Sequence, residues 1–171
     1  RDETTTLCLI PNVAKHVKIP LIAAGGIGTG RGMLAAMNLG ADAVQIGSRF
    51  VTSKESSAHD VFKKMVVDAK EGDTQLTLKE ITPVRLVKTD FYAKVIEAYG
   101  NGAAAEELKE LLGRGRAKKG MFEGDLIEGE FEIGQISGLI DEVLSTQEII
   151  DEILTEYRQA RKEMTEARFE F

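Results

Sequence analysis

Leu21-Ile22-Ala23-Ala24-Gly25-Gly26-Ile27-Gly28-Thr29-Gly30-Arg31-Gly32 and, further on, Ala43-Val44-Gln45-Ile46-Gly47-Ser48 decide the reading of the fold. Each is a short, continuous apolar run that ends in glycine. Such runs suit strands buried on both faces, as in a parallel sheet. Between them, Met33 to Leu39 has helical apolar spacing, and Gly40 stands where a helix-ending glycine belongs. A further helix is predicted from about residue 56 to 70, with Val61, Phe62, Met65 and Val66 inward. The order strand, loop, helix, strand, helix with short links implies α/β architecture with parallel strands.

The glycine-rich loop fits neither common nucleotide motif. A Rossmann fingerprint needs glycines at i, i+2 and i+5, but Gly26 and Gly28 are followed by Arg31, and Gly28 and Gly30 by Met33. The Gly-Lys-Ser/Thr of a P-loop is absent. What remains is a strand that ends in Gly25-Gly26 and feeds a helix start. There backbone N–H groups can approach an anion closely and the helix start adds partial positive charge. Taken alone, the loop could equally be a tight turn. Gly47-Ser48 repeats the arrangement at the end of the next strand, and in (β/α)8 barrels the loops after strands 7 and 8 commonly share one phosphate. Gln45, just before the second loop, either reaches the same ligand or pairs with backbone.

Outward from this core, Thr6 is a possible cap for a helix carrying Leu7, Leu9, Ile10 and Val13, which Pro11 is expected to divide. Residues 72–90 are extended or irregular. Helices are predicted over Phe91–Tyr99 and Ala103–Leu112, broken by Gly100-Asn101-Gly102. Gly113 to Gly120 is basic and expected to be solvated, and Glu123 to Gly134 is an acidic loop. Two closing helices follow. One carries Ile136, Leu139, Ile140, Val143 and Leu144. The other starts at the capping box Ser145-x-x-Glu148. The expected division is a barrel portion over residues 1–71 and a mainly helical segment over 72–171.

The chain has 171 residues and a formal net charge of −6, which argues against nucleic acid and makes any anion site a local one. It is short of the roughly 250 residues of a complete eight-unit barrel. One cysteine, Cys8, excludes a disulfide framework. No apolar run is long enough to span a membrane. The chain opens Arg1-Asp2-Glu3 without Met or a starting strand, and reads as a cut through something larger. A cytoplasmic location is the expectation.

Ala23-Ala24-Gly25-Gly26-Ile27, Gly30-Arg31-Gly32 and Leu39-Gly40-Ala41-Asp42-Ala43-Val44-Gln45-Ile46-Gly47-Ser48-Arg49-Phe50 resemble the nitronate monooxygenase and enoyl-acyl-carrier-protein reductase II family. Glu55-Ser56-x-Ala58-His59 with Lys63, and Gly134-Gln135-Ile136-Ser137-Gly138-Leu139-Ile140, are similar to later segments of that family. The resemblance implies the C-terminal portion of a (β/α)8 TIM barrel followed by an additional mainly helical segment. It also implies FMN as cofactor, with Gly25, Gly26, Gly47 and Ser48 at its phosphate and Gln45 nearby. A nicotinamide (NADH or NADPH) is a further implied donor, and the substrate is a small molecule or an acyl thioester. The family's catalytic histidine would precede Arg1, so the resemblance leaves the catalytic residue of this chain unknown. A half-barrel is expected to self-associate or to need its N-terminal half.

Other candidates read as structural. His16 sits in a surface helix and His59 in the helix after the second loop. Cys8 is expected to be a small core residue. The carboxylates of residues 123–132 lack the spacing of a calcium loop, and no metal is expected. Arg114 to Lys119 reads as solvated surface. Two other functions compete: a barrel enzyme for another phosphorylated ligand, and a non-catalytic phosphate-binding module.

Overall fold

The computed structural model describes residues 4–166; Arg1, Asp2 and Glu3, which open the chain, and residues 167–171 lie outside them. The chain forms two compact units. One joins the residues up to Glu55 with those from Leu144 onward, and the other is Ser56–Val143, inserted between them. These boundaries fall elsewhere than the division expected after residue 71. The ends of the insertion are tied on the side of the first unit. Lys54 N–H donates to the Leu144 carbonyl at 2.8 Å, and the Thr146 N–H and hydroxyl donate to Glu55 Oε2 at 2.8 and 3.0 Å.

The first unit contains α1 (Thr6–Ala14), β1 (Ile22–Ala24), α2 (Gly30–Asn38), β2 (Ala43–Gln45), α3 (Ser48–Val51) and, after the insertion, α8 (Thr146–Glu163). The strands pair in parallel, with Ile22 beside Ala43, Ala23 beside Val44 and Ala24 beside Gln45. Ala23 packs with Ile10, Ile27, Ala36 and Ala41, and Val44 lies against that cluster. The expectation that the strands are buried on both faces is corrected. Side chains alternate along a strand, and Ile22, Ala24 and Gln45 are exposed. Ile22 is 59% exposed because nothing among the described residues covers that face. Leu7, Cys8 and Leu9 of α1 are exposed as well, so Cys8 is not a core residue. Pro11 does not divide α1, which runs unbroken from Thr6 to Ala14 with Pro11 inside it.

Helix α8 begins at the capping box read from the sequence. Glu148 N–H donates to Ser145 Oγ at 3.2 Å, and Ser145 N–H donates to Glu148 Oε2 at 2.6 Å. Ile149, Ile153 and Ala160 are its buried residues.

The second unit contains α4 (Asp60–Asp68), β3 (Thr74–Thr77), β4 (Val84–Val87), α5 (Asp90–Gly100), α6 (Ala105–Leu112) and α7 (Arg116–Met121), then a 3-10 turn at Gln135–Leu139. The segment left as extended or irregular is an antiparallel hairpin pairing Thr74 with Val87 and Thr77 with Val84. Residues 131–133 extend it: Val87 N–H donates to the Phe131 carbonyl and Ile133 N–H to the Arg85 carbonyl. Leu78, Leu86, Phe91, Val95 and Leu108 form one core, and α4 brings Phe62 against Phe131 with ring centroids 5.6 Å apart.

Three expectations fail here for identifiable reasons. Helix α4 buries Phe62 and Val66 but leaves Val61 and Met65 half-exposed. The basic stretch is not simply solvated: α7 forms within it, and Arg116 lies 4.6 Å over the Phe91 ring. The first closing helix shrinks to the 3-10 turn. Gly138 weakens helix there and packs against residues 70 and 71, and Ile140 leaves in extended conformation.

Candidate functional site

The pairing of Ala24 with Gln45 brings the C-terminal ends of β1 and β2 to one edge of the sheet. Both glycine turns therefore leave from the same edge. Gly25 has φ +99° and Gly26 φ +72°, a region where an added side chain is strained. Gly47, with φ −106°, lies where any residue is allowed, so the backbone does not demand glycine there. A Cβ built at Gly25, Gly26 or Gly47 would meet nothing within 4 Å. The space above both turns is open, and Gly25, Gly26 and Gly47 are exposed. Gln45 is exposed on the uncovered sheet face, and the half-buried Ser48 opens α3. Thr6 Oγ1 donates to the Gly25 carbonyl at 3.2 Å, fixing the first turn from behind. Gly25, Gly26, Gln45, Gly47 and Ser48 thus lie at one edge, where turn N–H groups can approach an anion.

The start of α2 has a different role from the one its glycines suggested. Thr29 caps it by accepting from Gly32 N–H at 3.0 Å. Gly30 N–H donates to Glu156 Oε2 of α8 at 2.6 Å, so the helix start already meets a protein carboxylate. A Cβ at Gly30 would lie 2.2 Å from both the Ile153 carbonyl oxygen and the Tyr157 nitrogen. Gly30 is a helix–helix contact point. Arg31 is held by Glu163 at 2.7 Å, which raises its guanidinium pKa.

Arg49 is the residue that sequence reasoning passed over. It is 5% exposed, one nitrogen (Nη2) reaches Glu152 Oε2 of α8 at 2.5 Å, and Nη1 is buried with no partner among the described residues. An arginine next to a phenylalanine after a small-residue turn is its only trace in the sequence. Arg116 was likewise hidden in a basic run. It donates to the carbonyls of Leu111, Leu112 and Glu128 and to Glu128 Oε2.

The remaining candidates have structural partners. His16 Nδ1 lies 2.7 Å from the Asn12 carbonyl. His59 caps α4, its Nδ1 accepting from Val61 N–H at 3.2 Å, and its ring packs on Gly124. Among the described residues no three His, Cys, Asp or Glu side chains gather as a metal site. The acidic loop is not wholly solvated. Hydrogen bonds from Lys94 and Arg116 hold Glu128 down to about 2. Glu130 is 4% exposed, its Oε1 has no partner among the described residues, and burial, reinforced by Glu132, pushes it up to about 7. The Glu130 backbone is pinned against Gly120, whose Cβ would meet the Glu130 carbonyl at 2.2 Å.

The nitronate monooxygenase family matches residues 1–156. A probable nitronate monooxygenase of Staphylococcus saprophyticus is 43% identical over 94 residues, covering 54% of this chain and 26% of that protein. FabK from Thermotoga maritima superposes with a TM-score of 0.86 at 44% identity, over 95% of this chain and 52% of that one. A nitroalkane oxidase from Streptomyces ansochromogenes gives 0.76 at 27% identity, over 96% and 49%. The chain thus spans about half the length of these solved relatives and less of the curated one. No described helix is long and apolar enough to cross a membrane.

Proposed function

The chain belongs to the nitronate monooxygenase family, and from that membership we propose that it is the phosphate-gripping part of an FMN-dependent (β/α)8-barrel oxidoreductase. The observation that carries this reading is the shared edge: two glycine turns leave neighbouring parallel strands side by side, with open space where side chains would stand. A short helix directly after the second strand, here α3, is also what phosphate sites of such barrels use. The residues fit the group. Turn N–H groups at Gly25, Gly26 and Gly47 would face the phosphate, with Ser48 beside them, and Gln45 points from the uncovered sheet face at the same edge. The exposed Ile22 and Ala24 would then be covered by the rest of the barrel, or in an isolated chain by self-association.

FMN supplies the hydride or oxygen chemistry when bound, and the chain's part is to hold its phosphate and so position it. Enoyl-thioester reduction with a nicotinamide donor and nitronate oxidation are the two readings of the reaction: FabK is 44% identical and the probable nitronate monooxygenase 43%, so identity does not separate them and the flavin's reductant must. Two experiments on the full-length protein test the reading. Gly26→Val and Gly47→Val should each weaken FMN binding in a fluorescence titration; unchanged affinity in both rejects the phosphate site. Anaerobic NADH or NADPH should bleach the flavin, with turnover on an enoyl thioester. A flavin that bleaches only with a nitronate, and not with either nicotinamide, points to the monooxygenase branch.

A further inference from the structure

We propose that Arg49, two residues beyond Gly47, is the positive charge that balances the phosphate dianion without touching the ligand; this rests on the phosphate reading above. The chain carries a net charge of −6, so a dianion needs a local cation. Two other cations that follow the turns in sequence have carboxylate partners. Arg31 is paired with Glu163 at 2.7 Å and lies 3.8 Å from Glu156, and Lys54 lies 3.3 Å from Glu148.

Arg49 stands two positions after Gly47 and differs from both in its surroundings. Its side chain is 6% exposed, whereas that of its ion-pair partner, Glu152, is 53% exposed. Water screens the carboxylate far more than the guanidinium, so the pair leaves a net positive field on the protein side. The buried Nη1 has no acceptor among the described residues, so part of the guanidinium is desolvated without compensation. A structural clamp between α3 and α8 would gain from satisfying both nitrogens. An incompletely balanced cation is what a nearby anion would stabilise. Arg49 is therefore a positioning residue, distinct from the turn N–H groups that would meet the phosphate.

The test compares FMN with riboflavin, which lacks the phosphate, in fluorescence titrations of the full-length protein between pH 5 and 8. The second phosphate ionisation lies near pH 6. Wild type should prefer FMN, increasingly so as pH rises through that value. Glu152→Gln removes the counter-charge and keeps a hydrogen-bonding group, so the FMN preference should rise about threefold to tenfold with riboflavin affinity unchanged. Arg49→Gln should lower the preference about tenfold and flatten its pH dependence, and Arg49→Lys should restore most of both. A clamp predicts the opposite for Glu152→Gln: FMN and riboflavin weaken together. That result, or an unchanged preference in Glu152→Gln, overturns the proposal even if Arg49→Gln fails to fold. A wild-type protein with no preference for FMN would reject the phosphate reading itself, and this inference with it. A preference that persists unaltered in Arg49→Gln rejects only the inference.

Discussion

Replacing Gly30 by alanine should destabilise the protein through α8 rather than through any ligand. The added Cβ would lie 2.2 Å from the Ile153 carbonyl oxygen and the Tyr157 nitrogen and 2.8 Å from the Glu156 carbonyl carbon, all backbone atoms of α8. Ordinary contact begins near 3.4 Å, so α8 must withdraw by about 1 Å. That withdrawal stretches the 2.6 Å bond from Gly30 N–H to Glu156 and loosens the buried Ile153. Overpacking of this kind costs about 1–3 kcal/mol, and a weakened hydrogen bond adds about 1 kcal/mol. For a chain of this size the midpoint should fall by roughly 5–10 °C. Thermal unfolding followed by circular dichroism reads the change, with Gly47→Ala as the control. Gly47 has an ordinary φ and open space around it, so its alanine variant should stay within about 0.5 kcal/mol of wild type. A Gly30→Ala protein as stable as Gly47→Ala would mean that α8 does not pack on α2 as described.

Glu130 gives a pH dependence with a definite sign. Its pKa is raised from 4.5 to about 7, so the folded state holds the proton more tightly than the unfolded one. This group's contribution to stability is therefore complete below about pH 4.5 and is lost as pH rises through 7. Glu130→Gln should match wild type in acid and exceed it in melting temperature at pH 8; a wild-type advantage at pH 8 would mean the buried carboxyl is ionised and paired. Arg116→Met keeps an apolar stem but removes the contact over Phe91 and the bonds to three backbone carbonyls. A loss of about 2–4 kcal/mol in urea unfolding is expected, and a change under 0.5 kcal/mol would return Arg116 to the solvated surface.

The parts of the fold most legible in the sequence were those where local chemistry and tertiary structure agree. The apolar runs at 21–24 and 43–46 pair as parallel strands, and Ser145 with Glu148 forms the capping box it spells. Parallel pairing was readable because short links and glycine stops leave few alternatives. Burial of the second sheet face was not, since an apolar strand reads the same whether or not its outer face is covered. The hairpin at Thr74–Val87 was ambiguous because Thr77-Leu78-Lys79-Glu80 has no turn signature, and Leu78 takes φ 54° without being glycine. Glycines are a single symbol for several functions. Gly25 and Gly26 serve a left-handed turn, Gly30 a helix contact and Gly47 neither, and only the neighbouring backbone distinguishes them. Arg49 and Arg116 were missed for a related reason: a cation in a loop reads as solvated until its buried partners are known.

The most direct measurement of the central claim is a crystal structure of the full-length protein with FMN bound. The phosphate oxygens should lie about 2.7–3.2 Å from backbone nitrogens of the turns at Gly25–Gly26 and Gly47–Ser48, with Gly30 N–H still donating to Glu156. A phosphate that displaces Glu156 at the start of α2, or that binds away from both turns, would contradict the account.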